Sequence, residues 1–226
     1  MNNTEPTVFR FDALDPRERY KLLTASVVPR PVAWITSIDD NGSVNAAPFS
    51  FFNVFSEHPA LVIIGIDRRP DGSIKHTVEN IEATGAFTVN LADMGLAKAM
   101  VATAALYPRE VSEPQALGLA LASGTATAVP RLADAPIALE CELFELRWLS
   151  DYRHLVMGEI RALIARPGLF DPETKRIDPA QYHPVARLHG TAYAGLGEMF
   201  DIPVPDWREA PGDAAPQDTT SAKGGT

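Results

Sequence analysis

The sequence predicts a mainly β protein, an antiparallel barrel with peripheral helices, and three features of the pattern lead there. Two strand-like runs, "PVAWITSI" and "SVNAAPF", flank "DDNG" at residues 39–42, whose Asn-Gly pair tolerates the positive φ of a hairpin turn. A second pair, "IALECELFELRWL" and "HLVMGEIRALIA", lies on either side of "SDYR"; the first of these sets Ala138, Glu140 and Glu142 on one parity and Leu139, Cys141 and Leu143 on the other. Strands outnumber long helices and few βαβ alternations occur, which argues against a doubly wound parallel sheet.

The remaining elements follow in order. "ALVIIGI", residues 60–66, is a β-branched run bounded by Pro59 and Asp67, the mark of a strand buried on both faces. Ile74, Val78 and Ile81 repeat at helical spacing and Gly85 closes that segment, after which "AFTVNL" resumes as a strand. "GLAKAMVATAALY" reads as a second helix, and the turn-rich stretch after it as a loop with short elements. A loop this long is more often functional than neutral. Residues 171–198 read as loop, short helix and a final short strand or turn. One domain over residues 1–210 is expected, with 211–226, "PGDAAPQDTTSAKGGT", as a disordered polar tail.

Composition narrows the function. Of 226 residues, 46% are apolar and 22% charged, so the chain can bury a core without staples. A single cysteine, Cys141, excludes an intramolecular disulfide and leaves no CxxC framework; together with an amino terminus lacking an apolar h-region, it places the protein in the cytoplasm. No apolar run is long enough to span a bilayer. A net charge of -9 argues against nucleic acid, although "DRRPDGSIKH" could still bind a small anion.

Common catalytic signatures are missing: there is no GxGxxG after a strand, no P-loop, no HExxH and no GxSxG. None of the five histidines are spaced as ligands on one helix face, so no metal site is assigned. The basic loop carries more. With Ser73 as N-cap, Lys75, His76 and Thr77 fall in the first helical turn, where unpaired N–H groups, a lysine and a hydroxyl make a phosphate cradle. The alternative is a solvated helix start with a Lys75–Glu79 pair. "NAAPFSFFNVF" likewise has two readings. A strand buried on both sides accounts for Phe49, Phe51, Phe52 and Phe55, but Ser50 and Asn53 inside it then need hydrogen-bond partners, which a planar ligand with polar edges would supply.

Four segments, "YKLLTASVVPRPVAWITSIDDNGSVNAAPFSFFNVFSEHPALV", "KHTVENIEATGAFTVNL", "ADAPIALECEL" and "ARLHGTAYAGLGE", occur in that order over most of residues 20–200. Together they resemble the flavin reductase-like flavoproteins of the FMN-binding split-barrel fold, particularly the flavoredoxin-like branch. The resemblance implies a six-stranded antiparallel Greek-key split barrel with peripheral helices. It also implies a homodimer, with FMN in a groove near the dimer interface. By the same resemblance Thr36 and Ser37 contact the isoalloxazine or ribityl chain, and Pro48, Phe49, Ser50, Phe51 and Asn53 line the flavin. Arg68, Lys75, His76 and Thr77 bind the phosphate, although His76 stands where relatives often have an acid. Gly190 and Tyr193 carry over from the carboxy-terminal motif, in which His189 occupies a place associated with glycine. The implied activity is hydride transfer from NADH or NADPH to FMN, by alignment of nicotinamide C4 with flavin N5. Electrons then pass to free flavin, a monooxygenase component or another redox acceptor. The alternatives are an FMN-binding electron carrier without efficient nicotinamide turnover, or a barrel for another planar ligand such as haem or a deazaflavin.

Overall fold

The computed structural model describes residues 6–204; the tail expected at 211–226 lies outside the described residues. After a 3₁₀ turn at Phe11–Ala13, helix α1 (Pro16–Ser26) starts on a capping box in which Asp15 and Glu18 cap each other's backbone amides. The sequence reading anticipated no element there. Strands β1 (Arg30–Pro31), β2 (Ala33–Ile38), β3 (Val44–Phe49), β4 (Phe52–Glu57) and β5 (Ala60–Asp67) follow. Helix α2 (His76–Thr84) ends at Gly85, which adopts the left-handed conformation the position needs, and leads into β6 (Ala86–Leu91). Then come a 3₁₀ turn at Met94–Leu96, short helices α3 (Ala97–Ala102) and α4 (Glu113–Ala116), and the small ribbon β7 (Leu121–Ala122) and β8 (Arg131–Leu132). The long hairpin of β9 (Ile137–Trp148) and β10 (Arg153–Ala165) precedes β11 (Ala186–Arg187) and β12 (Tyr193–Ala194). No described helix is long and apolar enough to cross a membrane.

The main sheet is antiparallel throughout, in the order β3-β2-β6-β9-β10-β5-β4, so the mainly β split-barrel expectation is met. It has seven strands rather than six. The run "NAAPFSFFNVF" is not one strand: it breaks at Ser50 and Phe51, and its halves β3 and β4 form opposite edges of the sheet. The two residues between them therefore span the gap between the two edges, and the Phe51 carbonyl accepts the Gly65 amide at 2.7 Å. Phe49 and Phe52 point into the core with Ile35, Ile64, Phe87 and Val156, while Phe55 is 68% exposed. Each such buried side chain contributes about 1.5–3 kcal/mol over its exposed state. Val78 and Ile81 of α2 join this cluster.

Strand β2 is buried on both faces by different partners. Ala33 and Ile35 face the barrel core, whereas Trp34 belongs to a second apolar cluster with Met100, Leu132 and Val185. The long segment 103–136 is strapped to this outer face by buried polar side chains. Trp34 Nε1 donates to Thr103 Oγ1 at 2.9 Å, Thr36 Oγ1 to the Pro130 carbonyl at 2.7 Å, and the Leu132 amide to Asn90 Oδ1 at 2.8 Å. Glu140 on β9 is fully buried and its carboxylate accepts the amides of Thr125, Ala126 and Thr127 at 2.5 to 3.1 Å. At the other end of the segment Ser112 Oγ donates to the Val44 carbonyl and Glu113 accepts the Ala46 amide at 3.0 Å, which covers part of the free edge of β3.

Two local expectations need correction. Ser73 does not cap α2: its hydroxyl and amide bind Asp71 at 2.6 and 2.9 Å, and the N-cap position falls to Lys75, two residues later, without a side-chain cap. The carboxy-terminal short helix does not form among the described residues. Asp171 takes the amides of Glu173 and Thr174, and Asp178 that of Ala180, so side chains satisfy the N–H groups a helix would have used. The "GLAKAMVATAALY" helix is also shorter than its sequence pattern, stopping at Ala102 where the Thr103 hydroxyl turns back to the Met100 carbonyl. A compact unit extends to Leu196; the described part of the unit that follows, residues 197–204, holds no helix or strand.

Glu140 generates a test of the strap. Burial pushes its carboxyl up, but the amides of Ala126, Thr125 and Thr127 outweigh that and hold it below its ordinary value. A depressed folded value means the contribution is complete above the unfolded value of about 4.3 and is lost as pH falls through the folded one. Glu140→Gln is expected to cost about 3 kcal/mol in urea denaturation at pH 7 and to flatten the acid limb of the stability curve. Unchanged stability at pH 7 would remove Glu140 as the anchor.

Candidate functional site

The edge-to-edge crossing at Ser50–Phe51 opens a groove beside it. A cavity of about 220 Å³ is lined by Pro48, Phe49, Ser50 and Phe51 on one wall, with Tyr20, Gly65, Asp67, Arg153, Arg187 and Tyr193 around it. A smaller one of about 90 Å³ is lined by Asn45, Arg69, Lys75, His76, Thr77, Tyr107 and Glu113. Pro48, Phe49 and Ala104 line both, so the two form one groove with an aromatic middle and a basic end. At Gly65 a Cβ would lie 3.2 Å from Phe51 Cβ, so a side chain there would press on the crossing.

At the basic end the first turn of α2 presents its amides beside Lys75, whose ammonium is 3.8 Å from Asp67. The Lys75–Glu79 pair that would have left this end without a role is not formed: Glu79 pairs with Arg109 instead. Thr77 Oγ1 accepts from Asn45 Nδ2 at 3.0 Å, which leaves its own proton to donate. Arg69 Nη1 donates to His76 Nε2 at 2.9 Å and Nη2 to the Tyr107 carbonyl at 3.2 Å. A guanidinium can only donate, so His76 is a neutral acceptor here. Burial lowers its pKa, and the charges of Arg69 and Arg109 lower it further. Burial raises the Glu113 carboxyl, against the pull of the Ala46 amide.

The site residues expected from sequence divide into three groups. Pro48, Phe49, Ser50, Phe51, Lys75, His76, Thr77 and Tyr193 all line the groove. The Ser50 hydroxyl makes no hydrogen bond among the described residues, as a group facing a ligand would. Gly190 does not line it but supports it, its carbonyl accepting from the Arg187 guanidinium that stacks on Tyr193. The others lie elsewhere. Thr36 and Ser37 are fully buried, Thr36 donating to the Pro130 carbonyl and Ser37 accepting from Asn80 Nδ2 at 3.2 Å, because β2 is covered on both faces. Asn53 sits on β4 with its Oδ1 on the Val54 amide, and lines a separate apolar cavity of about 330 Å³ with Phe52, Leu139 and Val185. Arg68 stands 5.1 Å over Trp148 and bonds the Gly72 carbonyl at 2.8 Å; it lines an adjoining cleft with Asp67, Arg69 and Lys75, while Arg69 also lines the groove.

Sequence reasoning did not single out Tyr20, Arg153 or Arg187 among the groove residues. Tyr20 could have been found through the "DPRE" capping box, which fixes the start of α1 and hence a helical face; its ring lies 6.0 Å from Phe51. Arg69 belongs to the basic "DRRPDGSIKH" loop that the sequence marks for a small anion. Arg153 carries no local signal, since a distant segment brings it to Phe51; Arg187 lies six residues from Tyr193 within the "ARLHGTAYAGLGE" segment.

The flavin reductase-like domain model matches residues 25–184, and the matched span includes the aromatic wall and the basic end together. The chain belongs to the flavin reductase-like domain family. This membership assigns it to flavin-related oxidoreduction. An uncharacterized protein of Deinococcus radiodurans is 40% identical over 203 residues, covering 87% of this chain and 88% of its own. The chain is similar to the solved 2-nitrobenzoate 2-nitroreductase of Pseudomonas fluorescens, with a TM-score of 0.81 and 36% identity over 89% of this chain and 98% of that one. It is also similar to nitrilotriacetate monooxygenase component B of Bacillus cereus, with a TM-score of 0.82 and 30% identity over 88% and 99% of the two chains.

Proposed function

We propose that the groove holds FMN and that the protein is an NAD(P)H-dependent flavin oxidoreductase delivering electrons to free flavin or an oxygenase component. The observation that carries this reading is the continuity of the groove, from a basic end of about 90 Å³ to an aromatic wall with an unpartnered hydroxyl. Arg69 and Lys75 would neutralise the phosphate dianion, with the Thr77 hydroxyl and the first amides of α2 as donors. Pro48, Phe49 and Phe51 would pack along the flavin rings, and Ser50 Oγ would donate to a polar ring edge. Bound FMN would supply the hydride acceptance itself, so the chain needs to bind, orient and shield rather than provide an acid–base pair. An oxygenase component as acceptor is supported by the likeness to component B of the nitrilotriacetate monooxygenase.

A homodimer is part of the same proposal. Strand β4 is a sheet edge that exposes Val54 at 63% and Phe55 at 68%, a flat apolar edge that would aggregate if left uncovered. A second copy of the chain would bury it close to the Ser50–Phe51 crossing.

Three outcomes are expected. Purified protein carries, or takes up, FMN and its absorption band bleaches within a turnover on anaerobic addition of NADH or NADPH. A protein that neither shows flavin absorbance nor quenches added FMN fluorescence ends the proposal, and bound but slowly reduced FMN reduces it to an electron carrier. Lys75→Ala raises the Kd for FMN about tenfold or more, the value of one charge-assisted hydrogen bond, while that for riboflavin changes little; equal losses would move the phosphate elsewhere. Phe55→Asp converts a dimer to a monomer in light scattering, and a wild-type protein that is already monomeric would refute the shared edge.

A further inference from the structure

We propose that Arg153 and Arg187 form an anion-receiving end of the groove that takes the carboxylate of a planar aromatic acid as the second ligand of the loaded protein. The proposal rests on the reading of the groove as an FMN site. Both arginines line the larger cavity, whereas Lys75 and Thr77 line the smaller one. Arg153 stands 4.7 Å over the Phe51 ring, and its Nη1 is 3.4 Å from the Gly65 carbonyl, a long contact that leaves most of its donors unused. Arg187 stands 4.4 Å over Tyr193 and bonds the Tyr193 hydroxyl and the Gly190 carbonyl. Stacking thus holds both planes in place.

Neither arginine has an ion-pair partner among the described residues. The single carboxylate lining this cavity, Asp67, is taken by Lys75 at 3.8 Å and by the Tyr152 hydroxyl at 3.3 Å. Two half-buried guanidinium groups are costly without a counter-charge. The cofactor offers none at this end, because its dianion belongs at the basic end and the oxidised ring system is neutral. The reduced nicotinamide ring is neutral and supplies none either, which leaves the phosphates of the dinucleotide as the rival anion that competition by ADP-ribose separates. What suits two guanidinium forks is a carboxylate, bound through paired N–H donors. Aromatic rings frame the space next to them, with Tyr20 and Phe51 at 6.0 Å and Tyr193 in the same cavity, so the body attached to that carboxylate should be flat.

The test titrates the FMN-loaded full chain with benzoate and with benzamide, following flavin absorbance at fixed ionic strength. Benzoate is expected to bind about tenfold or more tightly than its neutral isostere, the worth of one charge-assisted contact. In Arg153→Gln and Arg187→Gln that preference falls below about threefold while FMN affinity stays within the same margin; the lysine variants, which keep the charge but lose the fork, fall between. Equal binding of benzoate and benzamide overturns the proposal. So do glutamine variants that release FMN as Lys75→Ala does, which would give the arginines to the cofactor. ADP-ribose that displaces benzoate with the same arginine dependence would give them to the phosphates of the dinucleotide, and overturns it too. Should FMN not bind at all, the cofactor reading fails separately, and calorimetry of benzoate against the protein as purified still decides the arginine site. Circular dichroism of each variant confirms that a lost preference is not lost structure.

Discussion

The structure depends on one short passage of chain, the crossing at Ser50 and Phe51 from one edge of the sheet to the other. β3 and β4 are consecutive in sequence yet lie at opposite ends of a seven-stranded sheet, so the sheet must curl until its edges are two residues apart. The Gly65 amide on the Phe51 carbonyl and the missing side chain at Gly65 permit that approach. A closed hydrogen-bonded seam would leave no room for a ligand. Here the edges meet through a turn, and the gap beside it is the groove.

Two apolar clusters and a set of buried polar anchors hold that geometry. β2 lies between them, giving Ala33 and Ile35 to the barrel interior and Trp34 to the outer cluster. The segment 103–136 is tied to the outer face by Thr36, Asn90 and Glu140, each with its polar atoms satisfied. Its first residues, 104 to 107, then form the far wall of the groove at the basic end. The long loop is thus an ordered wall of the site, because buried side chains of the sheet replace the backbone pairing it lacks.

The groove is also locally basic in an acidic protein. A net charge of -9 does not describe the local field, since Arg69, Lys75, Arg153 and Arg187 converge on one cleft whose carboxylates are engaged by internal partners. Stacking on aromatic rings and bonds to carbonyls position the three arginines without neutralising them, while Lys75 is paired with Asp67.

By itself the sequence determined the elements whose signals are local. Both long hairpins, the β5 run, α2 with its closing Gly85 and the mainly β antiparallel architecture follow from alternation, helical spacing and turn chemistry, which act over a few residues. The pairing of aromatic wall with lysine-x-threonine was legible too, as a resemblance in order and spacing. Only the tertiary structure decided which polar residues face the groove. Ser50 and Asn53 look alike in sequence, yet the turn sends one to the groove and the strand sends the other to a different cavity. Thr36 and Ser37 lie on a strand covered from both sides, so their hydroxyls serve the core; Ser73 gives way to Lys75 because Asp71 already holds it. Arg153 reaches the groove by standing over Phe51, across more than a hundred residues of chain, to which no local pattern is sensitive.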